Sequence, residues 1–239
     1  WPNDGDGIAQ SNKEHGFPPF FEKNGFTVTD PGRFDMPASN YNAQIAAFKS
    51  AGVEIIQGVL PPPEFTTFWN GCAQQGYQPK IVYVGKACEF PAAMEPLGDR
   101  AIGLTVEVWW SKFHPYNSGL TGQTSMELAD AYEAASGRQW SLPLGFRHSL
   151  FEVIFDTLKR TQSLDDKGSI RDALKATSYK SVVGTIDFAK GPFPNTALTP
   201  LVVGQWIKGS KYPLDMAIVD NTTTPEVPTN GEPTVIKYG

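Results

Sequence analysis

The sequence predicts an α/β fold in which helices flank a mostly parallel β-sheet. Two observations lead to this class. Short, nearly continuous apolar runs alternate with longer amphipathic segments in the first half of the chain. Such runs are typical of strands covered on both faces by helices. The 239 residues are 40% hydrophobic and 19% charged, which predicts a packed core rather than disorder.

The first half is predicted to alternate helix and strand. Pro18 and Pro19 suit the first turn of a helix, so the helix predicted over 8–23 is broken or restarted there. Prolines likewise open the helix predicted over 62–76, and Gly52 ends the one over 40–52. A short helix is expected near 91–97. The predicted strands are 26–30, 53–60, 80–85 and 102–110, and segments joined in this way form βαβ units.

The second half is predicted to be mainly helical. Long helices are expected over 122–136 and 145–162, and a third over 167–176. Two later apolar runs, 181–188 and 201–209, are interpreted as antiparallel strands joined by a loop. The tail at 221–233 is polar and rich in proline, and it is expected to be irregular.

The first predicted helix has a loop before it but no strand before that loop. A βαβ array requires a strand there. We therefore expect that the chain begins partway through a sheet, either after removal of a targeting segment or as a piece of a longer protein.

Charge and motifs exclude several functions. The formal net charge of −5 is scattered, without the basic stripe expected for nucleic-acid binding. No apolar run approaches the roughly 20 residues of a membrane helix. No phosphate loop, dinucleotide-binding glycine pattern or zinc motif occurs, and "DGDG" at 4–7 lacks the later glutamate of a calcium loop. We expect no cofactor and no metal.

Cys88 is the candidate for a catalytic nucleophile because it follows a predicted strand. A nucleophile elbow needs small residues on both sides, and Phe90 lies two places on. His114 and His148 lie in settings typical of structural or solvated histidines. The alternative for Cys88 is a loop residue that lines a pocket. We expect no catalytic residue and no enzymatic activity.

Trp109 and Trp110 follow one another where a strand meets a loop. On an internal strand one would point to each face. The pair is interpreted either as a hinge or pocket wall, or as ordinary core packing.

The order of segments resembles the branched-chain amino acid group of type I periplasmic binding proteins, which serve ABC transporters. The run "FTVTDPGRFDMPASNYNAQIAAFKSAGVEIIQGVLPPPEFTTFWNGCAQQGYQPKIVYVG" resembles the second lobe of that family. "ELADAYEAASGRQW" with "LGFRHSLFEVIFDTLKR" resembles its return into the first lobe, and "IRDALKATSYKSVVGTIDF" its closing helix and strand. The resemblance covers nearly the whole chain and corresponds to the C-terminal part of such a protein.

This resemblance implies two lobes with the first lobe incomplete. Residues 1–109 and 200–239 would form lobe two. Residues 110–199 would form the C-terminal part of lobe one together with crossover segments, which places the tryptophan pair at a crossover.

Ligands of open α/β sheets bind off the carboxyl ends of the strands. Where amino-acid binders of the family place a carboxylate for the ligand's ammonium, the matching position here is Ala87. Either Glu89 or Asp4 would supply the missing carboxylate, or the ligand has no ammonium. We expect an amino acid or a small apolar or aromatic carboxylic acid, and the departure at Ala87 favours the carboxylic acid, with Lys86 meeting its carboxylate. The expected ligand-binding residues are Asp4, Pro61, Pro62, Lys86, Ala87, Cys88, Glu89, Phe90, Trp109, Trp110 and Phe146.

The function implied is that of a periplasmic or extracytoplasmic solute-binding component of an ABC importer, whose partners are a small molecule and the transporter's membrane permease. Two alternatives stay open. One is a ligand-sensing receptor module of the same fold, and the other is a cysteine-dependent enzyme that uses Cys88.

Overall fold

The computed structural model describes residues 1–238, which form two compact units. Unit 1 comprises 1–106, 205–217 and 233–238, and unit 2 comprises 107–204 and 218–232. The chain therefore passes between the units four times. The lobes expected from the sequence, 1–109 with 200–239 and 110–199, stay a prediction about the whole protein.

A five-stranded sheet provides the framework of unit 1. Its spatial order is β1, β2, β3, β6, β7. The seven strands of the chain are β1 (Ile55–Leu60), β2 (Ile81–Lys86), β3 (Thr105–Val108), β4 (Ser178–Ser181), β5 (Gly184–Asp187), β6 (Val202–Lys208) and β7 (Leu214–Asp220). β1 runs parallel to β2, and β2 runs parallel to β3. The parallel sheet predicted for the first half is thus confirmed, and three of the four passages between the units fall inside β3, β6 and β7.

Eight α-helices accompany these strands in the described chain. They are α1 (Gly5–Gln10), α2 (Phe17–Lys23), α3 (Asn42–Ser50), α4 (Pro62–Gln74), α5 (Pro91–Met94), α6 (Ser125–Ser136), α7 (Pro143–Arg160) and α8 (Lys167–Lys175). None of the helices in residues 1–238 has the length and apolar character needed to cross a lipid bilayer.

Helix α4 illustrates how the sequence builds unit 1. Prolines occupy its first turn, where the missing N–H costs nothing. Phe65, Phe68, Trp69 and Cys72 follow at helical spacing and are all buried. The rings of Phe65 and Trp69 stack with centroids 6.1 Å apart. This face packs into the core and holds the start of α4 at the end of β1.

In unit 2, helix α7 is apolar on two sides. Its buried stripe contains Gly145, Ser149, Glu152 and Val153. A second group of apolar side chains on the same helix is 40–64% exposed, namely Leu150, Phe151, Ile154, Phe155 and Leu158.

Several predicted elements were wrong. Residues 26–30 form no strand, because the alternating pattern is present but no neighbouring strand pairs with it. The break expected at Pro18–Pro19 in the helix predicted over 8–23 is confirmed, because α1 ends at Gln10 and α2 begins at Phe17 with the two prolines in its first turn.

The late strands also differ from the prediction. The run 181–188 is not one strand, because Val182 and Val183 form the turn of the β4–β5 hairpin. Gly184, at φ 101°, adopts a backbone conformation that other residues rarely take. The run 201–209 contributes β6 to the five-stranded sheet instead of pairing with 181–188, and β7 was not predicted.

Candidate functional site

The predicted site in unit 1 lies where β1 and β2 end together. Leu60, the last residue of β1, is in register with Lys86, the last residue of β2. Pro61 follows Leu60 and leads into α4, whose first residue is Pro62, and both prolines are partly exposed. The carboxyl ends of parallel strands are the usual ligand-binding edge of an open sheet. The structure therefore brings Pro61, Pro62 and Lys86 to one edge.

The first turn of α1 reaches the same edge. The ammonium of Lys86 forms an ion pair with Asp6, and the two side chains are 45% and 55% exposed. This hydrogen bond is the main reason why the pKa of Lys86 lies above its usual value. Asp4 caps α1 by accepting a hydrogen bond from the Gly7 N–H at 2.8 Å. The predicted set contained Asp4 but missed Asp6, the residue that contacts Lys86.

A tight turn after β2 sets the direction of Lys86. The backbone of Lys86 has φ 64°, which is unusual for a residue with a side chain. Its N–H donates to Glu89 Oε1 at 2.9 Å, which closes a 3₁₀ turn at Ala87–Glu89. The strained conformation is thus held by a specific partner.

The remaining predicted residues of this turn are mostly inaccessible. Ala87 and Cys88 are fully buried, and Glu89 is 8% exposed. The Cys88 carbonyl accepts a 2.7 Å hydrogen bond from the indole N–H of Trp206. Phe90 is partly exposed and is the N-cap residue immediately before α5. Lys86 is therefore the charged group of the turn that solvent or a ligand reaches most easily.

Unit 2 holds the aromatic residues of the predicted site. Trp109 is partly exposed and meets Phe146 edge to face, with ring centroids 4.8 Å apart. Trp110 is fully buried and packs against Trp140 at 6.0 Å. Gly145 lies so close to the Trp110 ring that a Cβ there would come within 2.2 Å of Cγ. Trp110 is thus a core residue, whereas Trp109 and Phe146 present a partly open aromatic surface.

The arrangement in unit 2 that most resembles catalytic machinery is closed to substrates. Ser118 Oγ lies 2.7 Å from His148 Nε2 and donates to Glu152 Oε1 at 2.8 Å. Ser118 is 2% exposed, and its Oγ also accepts the N–H groups of Leu120 and Thr121. In a hydrolytic triad the acid orients the far nitrogen of the histidine, whereas here it contacts the serine. These residues support the fold of unit 2.

Other titratable groups offer little chemistry. His114 accepts the Ser111 N–H at Nδ1 over 3.0 Å, and burial lowers the pKa of His114 to about 4. Burial raises the pKa of the Cys72 thiol to about 12. Within residues 1–238 no three His, Cys, Asp or Glu side chains come close enough together to hold a metal ion.

A family model described as "Periplasmic binding protein" matches residues 12–211. The chain belongs to this periplasmic binding protein family. No curated protein matches the chain.

Solved structures share the fold of this periplasmic binding protein chain. A leucine-binding protein from Thermotoga maritima superimposes with a TM-score of 0.71 at 19% identity, covering 87% of this chain and 55% of its own. An ABC transporter solute-binding protein from R. palustris, in complex with 4-hydroxybenzoate, superimposes with a TM-score of 0.67 at 14% identity, and the match covers 85% of this chain and 54% of that protein. A third structure is a solute-binding protein of an ABC transporter from Rhodopseudomonas palustris BisB5 in complex with 3,4-dihydroxybenzoic acid. It superimposes with a TM-score of 0.58 at 19% identity, and the match covers 80% of this chain and 53% of that protein.

The chain spans about half the length of these solved structures. The resemblance to type I periplasmic binding proteins and the α/β fold class are both confirmed. The predicted ligand residues, however, stay a prediction, because likeness at this level of identity concerns the fold.

Proposed function

We propose that the protein containing this chain is an extracytoplasmic solute-binding component of an ABC importer, which captures a small molecule and hands it unchanged to the membrane permease. Membership of the periplasmic binding protein family supports this role. The structurally similar proteins include solute-binding proteins of ABC transporters. The inaccessible Cys88 and the enclosed Ser118 further favour binding over catalysis.

The ligand we propose is an apolar or aromatic carboxylic acid. The observation that carries this choice is the position of Lys86, a partly exposed ammonium at the carboxyl end of β2. The Lys86 ammonium has three N–H donors, so a ligand carboxylate would accept a further charge-assisted hydrogen bond from Lys86 while Asp6 stays paired with it.

The carboxylates of this edge are poorly placed to hold a ligand's ammonium. Asp4 is used in capping α1, Glu89 is buried and holds the Lys86 backbone, and Asp6 is paired with Lys86. Ala87 contributes no charge at all. A buried ammonium without a counter-charge costs several kcal/mol. A free amino acid would therefore bind less well here than an acid without an ammonium.

The similar structures are consistent with both ligand classes. One is a leucine-binding protein, while two contain hydroxylated benzoic acids. In unit 2 the partly exposed Trp109 and its neighbour Phe146 offer flat apolar surface of the kind that binds rings. We propose that this surface contributes to binding in the whole protein.

The chain offers a matched pair of lysines for a test. Lys86 pairs with Asp6 beyond the carboxyl end of β2, and Lys80 pairs with Glu54 before its amino end. In the full-length gene product, Lys86→Met should weaken binding of 4-hydroxybenzoate by about 10- to 100-fold, since a hydrogen bond to a charged group contributes about 1.5–3 kcal/mol.

Lys80→Met should leave that affinity within about twofold, because it removes an exposed ion pair at the opposite end of the strand. Calorimetric titration of both variants separates the outcomes. Equal affinities for the two variants would show that Lys86 does not meet the ligand.

A further inference from the structure

A cavity of about 300 Å³ lies in unit 1, beyond the end of β2 that is opposite Lys86. It is enclosed by the second half of α4, the residues just before β2, the 3₁₀ segment Glu95–Ala101 and the tail at 236–238. Lys86 ends β2, whereas Gln78 of the cavity wall precedes it. A strand of six residues, at about 3.3 Å each, separates the two. The cavity is therefore distinct from the candidate site, and its volume is sufficient for a small molecule.

Three aromatic side chains form part of the cavity wall. Trp69 and Tyr77 are buried, whereas Tyr238 is 37% exposed, and its ring lies 6.4 Å from that of Trp69 between centroids. The Tyr77 hydroxyl donates to the Val53 carbonyl at 2.7 Å. The Tyr238 hydroxyl donates to the Pro79 carbonyl at 2.8 Å. Because both hydroxyl hydrogens are already used, these side chains offer the cavity flat ring surface of the kind that binds another ring.

Arg100 places a fixed cation in the same wall. Its guanidinium carbon lies 5.6 Å from the centre of the Trp69 ring. The guanidinium donates to Asn70 Oδ1 at 2.8 Å and to the Trp69 carbonyl at 2.5 Å, and the Trp69 indole N–H donates to the Arg100 carbonyl at 3.0 Å. These bonds use two of the five N–H donors of the guanidinium. The others are held in a planar fork that matches the geometry of a carboxylate.

The charges of the cavity lining favour an anion. Within residues 1–238 the lining contains one carboxylate, Asp99, whose Oδ1 lies 3.0 Å from the ammonium of Lys208. It contains two cations, Arg100 and Lys237. The Cys72 thiol in the wall adds no negative charge at neutral pH, because burial raises its pKa to about 12. The lining therefore has more positive charge than negative charge.

The tail that closes one side of the cavity is held at every second residue. The Thr234 N–H donates to Gln205 Oε1 at 3.1 Å, and Gln205 Nε2 donates to the Thr234 carbonyl at 2.8 Å. The Ile236 N–H donates to the Lys80 carbonyl at 2.9 Å. The Tyr238 hydroxyl provides the third attachment. These bonds form without a ligand, so the wall is ordered in advance and binding need not supply the cost of ordering it.

We propose that this cavity is a second small-molecule site, which takes an aromatic carboxylic acid of one ring. The ligand's carboxylate accepts hydrogen bonds from the guanidinium of Arg100, and its ring lies against Tyr238. The site is separate from the end of β2 that carries Lys86, and the inference does not depend on the proposed transport role.

The test follows the indole N–H signal of Trp69 by NMR in the full-length gene product labelled with ¹⁵N-tryptophan, and Trp69→Phe assigns that signal. Benzoate should shift the signal saturably, with half-saturation below about 1 mM. Benzamide has the same ring without the charge, and it should bind about tenfold or more weakly, because a charge-assisted hydrogen bond from Arg100 requires the carboxylate. Equal affinities for benzoate and benzamide would overturn the assignment of an acid to this cavity.

Two substitutions at the end of α4 locate the binding. Ala73 is exposed and lines the cavity, so Ala73→Trp fills the cavity with a ring and should abolish the benzoate-induced shift of the Trp69 signal. Gln74 is the next residue, equally on the surface but outside the lining, and Gln74→Trp should leave the shift intact. The Trp69 signal reports on this cavity whether or not a ligand binds at Lys86. The absence of a saturable shift up to about 10 mM benzoate, or a shift that survives Ala73→Trp, would overturn the proposal.

Discussion

Glu152 is a fully buried carboxylate in α7 whose removal should destabilise unit 2 severely. It accepts hydrogen bonds from Ser118 Oγ at 2.8 Å, from Ser181 Oγ and from the Val182 N–H at 3.1 Å. These donors come from a loop and from the β4–β5 hairpin. One side chain therefore ties three segments of unit 2 together, and Glu152→Ala leaves all three donors without it.

The magnitude follows from the number and kind of bonds. A buried donor left unsatisfied costs about 1–3 kcal/mol, so three donors set an upper bound of about 9 kcal/mol. Relief of the buried charge and entry of water reduce this sum, and breaking buried charged partnerships usually costs about 3–5 kcal/mol. We expect Glu152→Ala to lower the free energy of unfolding by about 3–5 kcal/mol. Glu152→Gln retains one acceptor oxygen, and we expect it to lower the free energy of unfolding by about 1–2 kcal/mol.

Urea denaturation measures these differences from the shift in the midpoint at a constant slope. Hydrogen exchange over residues 118–182 then locates the loss in unit 2. Glu226→Ala is the control, because Glu226 is exposed and accepts one hydrogen bond, from the Tyr116 hydroxyl at 3.2 Å. We expect Glu226→Ala to lower the free energy of unfolding by less than about 1 kcal/mol. A loss below about 1 kcal/mol for Glu152→Ala would refute the reasoning, because three buried donors cannot lose their acceptor so cheaply.

Three further outcomes are expected. Gly145→Ala should lower the melting temperature although it gains about 1 kcal/mol of helix propensity, because the new Cβ would lie 2.2 Å from Trp110 Cγ. Gly5→Ala is the control and should not lower the melting temperature, because Gly5 is exposed and a Cβ there has nothing within 4 Å. Burial lowers the pKa of His114 in the folded protein to about 4, from an ordinary value of 6.5, so the unfolded state takes up the proton first as the pH falls. The free energy of unfolding should therefore decrease as the pH drops from about 6.5 to 4. Urea titrations at each pH should show a weaker pH dependence of stability in this range for His114→Gln. Cys88→Ser in the full-length protein should change the ligand affinity by less than about tenfold, or about 1.4 kcal/mol. If the unsubstituted protein converts a substrate and Cys88→Ser abolishes that conversion, the protein is the cysteine-dependent enzyme instead.

The fold was predictable where local pattern and tertiary context agree. β1 and β2 are nearly continuous apolar runs with glycine or proline close by in the sequence, and α4 combines helical spacing with prolines in its first turn. Residues 26–30 have an equally good strand pattern, yet a strand exists only when another pairs with it. Periodicity describes a segment's own preference and carries no information about its neighbour.

The candidate site was predictable in position but not in its contacts. Parallel topology places the end of β2 beside the end of β1, so Lys86 and Pro61 were predicted from sequence alone. The Lys86–Asp6 pair joins residues 80 positions apart, and no spacing rule connects them. Asp4 of the "DGDG" segment was among the predicted ligand residues, but nothing in that segment distinguished Asp6 as the partner of Lys86. The burial of Ala87 and Cys88 follows from the turn after β2, whose unusual backbone at Lys86 has no sequence signature.

Binding without chemistry is the central claim, and one titration of the full-length gene product tests it most directly. The protein is titrated calorimetrically with 4-hydroxybenzoate and with leucine, and each ligand is recovered afterwards and examined by NMR. The account predicts saturable one-to-one binding of the aromatic acid, weaker binding of leucine by about tenfold or more, and recovery of both ligands unchanged. Tight binding of leucine with the aromatic acid silent would contradict the ligand class, and chemical conversion of either ligand would contradict the function.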